Sequence, residues 1–404
     1  MIYKKNQLFI ENINVLRIAK KFGTPTYCYS INKLKENILK FKRNFKSINP
    51  LICFSVKSNN NLQILKTIKK YNLGADVVSK GELLIALKAG ISPKKIVFSG
   101  VGKTNDEIKF AIDKNILLIN AESESEISSI EKIANTKKKC VNIGIRLNPN
   151  IDALTNSKIS TGRKIDKFGL DKQTFLKVLN KYKFSKNLDI RCLSVHIGSQ
   201  ITDFKPYTKM VKEIEKILSN INHKFDFIDF GGGMGIQYNM NGKVLNYKKY
   251  LLSIQNFLKK FSVKVIFEPG RSISGNIAIL LTKVIYIKKS KDRDFVILDA
   301  AMNDLMRPAL YGSFHKIIPV RISKKLNKKI HSFVGPVCET TDQFLSVKKY
   351  NKLNENDYLA ICDVGAYGMV LSSNYNLRVK PAEIIVDKSK VKLITKRQNL
   401  KDII

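Results

Sequence analysis

Short apolar, β-branched runs alternate with stretches of helical spacing from about Leu51 to Glu268. Eight runs predict strands: LICFS from Leu51, ADVVS from Ala75, KIVFSG from Lys95, LLINA from Leu117, VNIGIRLN from Val141, IRCLSVHIG from Ile190, FDFIDFGGG from Phe225 and VKVIFEPGR from Val263. A segment with helical spacing separates each run from the next. One of these, GELLIALKAG, ends on Gly90, a residue suited to the left-handed turn that closes a helix. Nearly continuous apolar strands separated by helices imply parallel pairing with both faces covered. Eight such units predict a closed, TIM-type (β/α)8 barrel rather than an open sheet.

The texture changes after about Ser274. AILLTKVIYIKKS, DFVILDA, KIIPV, HSFVGP, YLAICDVGAY, VKPAEIIVD and VKLITKR are strand-like, with turn-like breaks and little helix. They predict a β-rich C-terminal domain of sandwich or barrel type. The expected division is a barrel over 26–274, a β domain over 275–404, and an N-terminal segment, 1–25, associated with the β domain. A length of 404 residues is ample for two domains.

Composition changes this picture little. The chain is 44% hydrophobic and 26% charged, as an ordinary globular protein is. The net charge of +39 is extreme and would ordinarily suggest nucleic acid. The lysines are spread end to end, however, mostly on the polar faces of expected helices such as INKLKENILKFKRNF. No stacking platform, zinc-finger spacing or basic arm accompanies them. Drift toward A/T-rich codons explains a chain rich in Lys, Ile and Asn throughout, and no specific nucleic-acid partner is expected. Six cysteines and four histidines are scattered without metal-like spacing, so neither a metal site nor a disulfide framework is expected. The N-terminal stretch reads as no secretory leader, and no apolar run is long enough to span a bilayer. The expected location is the cytoplasm, with no membrane partner.

Active sites of such barrels lie at the C-terminal ends of the strands, and the unusual residues cluster there. Lys57 follows the first strand in FSVKSN and Ser79 follows the second. His196 ends the sixth in HIGSQ. The seventh runs into Gly231, Gly232 and Gly233, and the eighth into Glu268, Pro269, Gly270 and Arg271. Singly, each has an ordinary explanation: a solvated lysine, a structural histidine, a glycine turn, a surface ion pair. Together they describe a site for a phosphate-bearing ring. Glycines let backbone N–H groups approach an anion, and the loops after strands seven and eight are the usual phosphate site. A partly desolvated lysine can form a Schiff base. Glu268 can hold a pyridine nitrogen protonated, and the His196 imidazole can stack on a flat ring. These parts point to pyridoxal 5'-phosphate.

HIGSQ, GGGMGI, EPGRSI, RPALYGSFH, GPVCETTD and GAYG occur in this order, and the chain from FGTPTYCYS to VKPAEIIVD resembles the fold-III pyridoxal-phosphate-dependent decarboxylases. The resemblance implies the barrel plus β domain, and a homodimer whose active sites are shared between subunits. It also implies loss of CO2 from meso-2,6-diaminopimelate to give L-lysine. By resemblance, Lys57 holds the cofactor and His196 stacks on its ring. Ser199, Gly233, Gly270 and Arg271 surround the phosphate side, and Glu268 pairs with the pyridine nitrogen. Arg271, Arg307 and Tyr311 bind the substrate's distal carboxylate, and Glu339 meets its distal amine. Tyr367 touches cofactor and substrate, and Cys338 protonates the carbanion.

Local departures exist. FSVKSN replaces a motif that more often has Tyr-Ala before the lysine and Ala after it. Lys80 stands where a small residue is common, and Met234 follows the glycines in place of Leu. None removes a catalytic group. The Cys338–Glu339 pair is expected to be buried and to face a neighbouring subunit's cofactor, since a buried carboxylate needs a partner. Ornithine, arginine or carboxynorspermidine decarboxylation and alanine racemisation use the same scaffold. Glu268 and Cys338 argue against racemisation, and the arginines of RPALY and EPGR favour a substrate with a second carboxylate.

Overall fold

The computed structural model describes residues 1–239, 242–323 and 325–404. The chain divides into two compact units, one of residues 38–236 and 243–273, the other of residues 1–37, 237–242 and 274–404.

In the first unit, eight parallel strands close a barrel in chain order. They are Leu51–Ser55, Gly74–Val77, Ile96–Phe98, Leu118–Ala121, Val141–Arg146, Leu188–Ser194, Phe227–Asp229 and Lys264–Phe267. The eighth returns to the first through the pairs Ile266–Leu51 and Phe267–Ile52. All eight fall on the runs expected from sequence. Strand residues are almost all buried because side chains on one face fill the barrel and those on the other meet the helices.

Helix starts follow from short polar side chains placed just before them. Asn61, Ser79, Thr104, Ser123, Asp171 and Asn246 each accept a hydrogen bond from a first-turn backbone N–H. Ser79 is thus the cap of the helix Lys80–Lys88, its Oγ accepting from the Glu82 N–H at 3.2 Å. Gly90 closes that helix at φ +85°. Each cap fixes where the chain leaves a strand end, and so fixes the rim on which the candidate residues stand.

The second unit holds a nine-stranded sheet. Its centre is the long strand Ala278–Lys289, which pairs with Thr26–Ser30, Tyr358–Cys362 and Arg293–Leu298. Leu326–Val334 and Gln343–Asn351 extend one side, and Ala382–Asp387 and Lys390–Thr395 the other. Leu8, Ile10, Val15 and Ile18 pack with Cys28, Ile279, Leu281 and Ile384 in one core. The division from the barrel falls later than position 26, because Thr26–Ser30 is a buried inner strand of this sheet, parallel to Ala382–Asp387. Its five buried residues show no alternation, so pattern alone does not separate it from a barrel strand. Among the described residues, no helix is long and apolar enough to cross a membrane.

Candidate active site

Lys57 lies in the tight turn Val56–Ser58 at the end of the first barrel strand. Its Nζ is 3.0 Å from Asp76 Oδ2, which comes from the second strand. Ser55 Oγ donates to the same oxygen at 2.7 Å. Asp76 is fully buried, and its Oδ1 has no hydrogen-bond partner among the described residues. An acid so placed anchors the lysine tip at one point of the barrel mouth.

Two more buried acids come from the seventh strand and the end of the eighth, which neighbours the first. Ser99 Oγ donates to Glu268 Oε1 at 3.3 Å. Asp229, from the seventh strand, is hydrogen-bonded to Glu268. Asp229 Oδ1 accepts from the Gly231 N–H at 2.9 Å and Oδ2 from Asn120 Nδ2 at 3.3 Å. Burial pushes the Glu268 carboxyl well above the usual range, and the charges of Asp229 and Asp76 push it further. Asn120 reaches inward because Gly144 faces it: a Cβ there would lie 2.0 Å from Asn120 Oδ1.

His196 follows the sixth strand. The Gly232 N–H donates to its Nδ1 at 3.0 Å, so the proton of the neutral ring sits on Nε2. Burial, then the nearby charges of Arg146 and Lys57, push the imidazole well below its usual range and keep it neutral. Its backbone carbonyl accepts from Thr161 Oγ1 at 2.9 Å and from Arg146 Nη2 at 3.4 Å. Arg146 is itself paired with buried Glu122 at 2.9 Å.

The glycine turn admits no side chain. A Cβ on Gly231 would come within 2.6 Å of His196 Nδ1, and one on Gly232 within 2.0 Å of the Glu268 carbonyl oxygen. On Gly233, at φ +83°, it would lie 2.2 Å from the Gly198 carbonyl oxygen. The backbone of this turn therefore packs against the sixth and eighth strand ends too closely for any side chain. Arg271 Nη2 donates to Ser199 Oγ at 3.1 Å. A Cβ on Gly270 would approach Ser58 to 2.9 Å, so the eighth-strand turn packs directly on the lysine turn.

The remaining candidates belong to the second unit. Arg307 is buried at the start of the short helix Arg307–Tyr311. Its Nη1 donates to Tyr238 Oη at 3.0 Å and to His315 Nε2 at 2.9 Å, and its Nη2 to Ser313 Oγ at 3.2 Å. The His315 Nδ1 proton goes to the Cys362 carbonyl at 2.8 Å, which fixes the tautomer that accepts from Arg307. Tyr367 sits at φ +55°, a conformation that costs a tyrosine strain energy and marks functional sites. Tyr311 closes its helix against Gly312 at φ +60°.

Cys338 and Glu339, expected to be buried against a neighbouring subunit, are exposed on the single chain. Glu339 accepts from Thr341 Oγ1 at 2.6 Å and from Tyr375 Oη at 3.0 Å, and these bonds pull its carboxyl below the usual range. The reason is local. The turn is anchored by Val337 and by Asp342, which is buried and accepts from the N–H groups of Met302 and Val337 at 2.7 and 2.8 Å. The residues between these anchors loop outward.

Sequence reading missed Asp76, Asp229, Asn120 and Asp342. A signal existed for the first three, each being a polar residue inside an otherwise apolar strand run.

Residues 31–275 match the model of the pyridoxal-dependent decarboxylase family, over its pyridoxal binding domain. The chain belongs to that family. The residues present fit its cofactor: an amine after the first strand, a buried acid at the eighth, a neutral flat ring at the sixth, and a turn whose backbone no Cβ covers. Within the family the chain is similar to diaminopimelate decarboxylases. It is 40% identical to the one from Aquifex aeolicus over 98% of this chain and 94% of the relative. It is 40% identical to the one from Neisseria meningitidis serogroup B over 97% and 95%. The crystal structure of the Helicobacter pylori diaminopimelate decarboxylase complexed with L-lysine superposes with a TM-score of 0.92, at 40% identity, covering 96% of this chain and 98% of that one. A viral arginine decarboxylase at 21% identity and a TM-score of 0.80 shares the fold.

Proposed function

We propose that this chain decarboxylates meso-2,6-diaminopimelate to L-lysine and CO2, with pyridoxal 5'-phosphate held at Lys57. The observation that carries the reading is the Lys57–Asp76 and Glu268–Asp229 arrangement at one barrel mouth, in a chain 40% identical to diaminopimelate decarboxylases over nearly its whole length.

Bound pyridoxal phosphate supplies the electron sink for the bond that breaks at the substrate's α-carbon. Lys57 binds it, and Asp76 positions the Lys57 tip. Glu268 holds a proton at the ring nitrogen. Neutral His196 lies over the ring face without adding charge there. Ser199, Gly233, Gly270 and Arg271 cradle the phosphate side. Arg307 and Tyr311, with Arg271, take the substrate's distal carboxylate, and Glu339 its distal ammonium. A monocarboxylic diamino acid brings no distal carboxylate to those arginines and forgoes that charge-assisted pairing. Tyr367 orients cofactor and substrate, and Cys338 delivers a proton to the α-carbon after CO2 leaves.

The protein works as a homodimer in which Cys338 and Glu339 complete the partner's site. Their exposure on the single chain supports this, since a proton donor and an ammonium partner are needed away from bulk water. Six unpaired cysteines support a reducing, cytoplasmic location. The purified protein, supplied with pyridoxal phosphate, should change its visible spectrum on addition of meso-2,6-diaminopimelate and not on addition of ornithine. An equal response to ornithine would reject the substrate assignment.

A further inference from the structure

Three buried carboxyl groups, Asp76, Asp229 and Glu268, lie inside the barrel, where Lys57 pairs with Asp76 and its charge also bears on Glu268. Lys57 and Ser55 serve Asp76. Glu268 and Asp229 are left to each other, and two hydrogen-bonded carboxyl groups out of water must share one proton.

The donors around the pair decide where that proton resides. Asp229 has both oxygens occupied by N–H donors, Gly231 on Oδ1 and Asn120 on Oδ2. The Gly231 backbone N–H can only donate, and Asn120 as placed turns its Nδ2 to the same carboxylate. Asp229 is thus built as the acceptor. Apart from its bond with Asp229, Glu268 receives the Ser99 hydroxyl, at 3.3 Å, among the described residues. The other titratable groups facing the pair are Cys53, Cys192 and Tyr250, and burial pushes all three toward their neutral forms. None offsets the charge. Burial and the Asp229 charge both disfavour an ionised Glu268.

We propose that Asp229 is a positioning residue that keeps the pair's proton on Glu268, so that Glu268 meets the cofactor's ring nitrogen as an acid and hands over its own proton. The Glu268 O–H bond breaks, a ring N–H bond forms, and the electron pair left on oxygen makes Glu268 the carboxylate partner of the new cation. The total charge of Asp229, Glu268 and the ring is the same before and after. No proton is drawn from solvent. The inference rests on the reading that Glu268 faces the ring nitrogen.

Infrared spectroscopy of the cofactor-free protein at neutral pH tests it. The difference spectrum of wild type minus Glu268→Gln should contain a protonated carboxyl band. The same band should be lost in Asp229→Asn, whose amide donates to Glu268 and leaves it ionised. An indicator dye should then record about one more proton taken up per site by Asp229→Asn than by wild type on binding pyridoxal phosphate. A purely structural Asp229 would leave both readouts unmoved. If Asp229→Asn fails to fold, the comparison of wild type with Glu268→Gln still decides, because absence of a Glu268 band in wild type overturns the inference. Failure of folded wild type to bind pyridoxal phosphate would instead reject the functional reading together with the hand-over, whatever the infrared band shows.

Discussion

Lys57 Nζ and Asp76 Oδ2 lie 3.0 Å apart at the ends of adjacent barrel strands, and Asp76 Oδ1 beside them has no hydrogen-bond partner among the described residues. The pairing singles out one amine among many lysines. Lys57→Ala should therefore abolish the hydride-reducible visible band of the cofactor-loaded protein. A band that survives the substitution would assign the cofactor to a different lysine.

Glu268→Gln should keep cofactor binding and lose most turnover. A neutral amide cannot hold a proton at the ring nitrogen, and the loss of one such electrostatic group is on the order of a hundredfold or more. Steady-state rates at saturating cofactor check this, and near-normal turnover would remove Glu268 from the chemistry.

Glu82 offers a pH-dependent stability test. Its carboxyl accepts from the Val78 N–H at 2.9 Å, and burial, with the Asp76 charge, raises it from 4.5 to about 7. The folded state thus binds this proton more tightly than the unfolded state. Glu82 contributes its full stability below pH 4.5 and loses it progressively as pH rises to about 7. The loss is on the order of 3 kcal/mol. Glu82→Gln keeps the acceptor and removes the titration. Its stability relative to wild type should rise from pH 5 to pH 8 in denaturant unfolding, whereas a constant difference would show that the shift is absent.

Shared sites make a quantitative forecast. Lys57→Ala and Cys338→Ala should each be nearly inactive alone. Unfolded and refolded together, they form mixed dimers with one doubly damaged site and one intact site. Random pairing should restore about a quarter of wild-type activity. Mixed dimers confirmed by mass but inactive would place both residues in the site of their own chain.

How far the molecule could be read in advance depended on the kind of signal. The eight barrel strands were legible because burial on both faces leaves continuous apolar runs, and Lys57, His196 and Glu268 because they interrupt the chain where such runs end. The strand Gln343–Asn351 was not, since Lys348 and Lys349 break an exposed outer strand. Asp229 and Asn120 were passed over because one polar residue in a short strand carries no sign of which way it points. Glu339 is exposed in the single chain because Val337 and Asp342 anchor the ends of the turn and the residues between them loop outward. Asp342, which holds that turn, acts through backbone N–H groups that no side-chain pattern records.

The most direct measurement is the product balance of the purified protein loaded with pyridoxal phosphate and given meso-2,6-diaminopimelate. L-lysine and CO2 should appear in equal amounts as the substrate disappears, and Lys57→Ala should form neither. Substrate that is racemised without release of CO2, or a protein that decarboxylates ornithine or arginine as readily as diaminopimelate, would contradict the assignment.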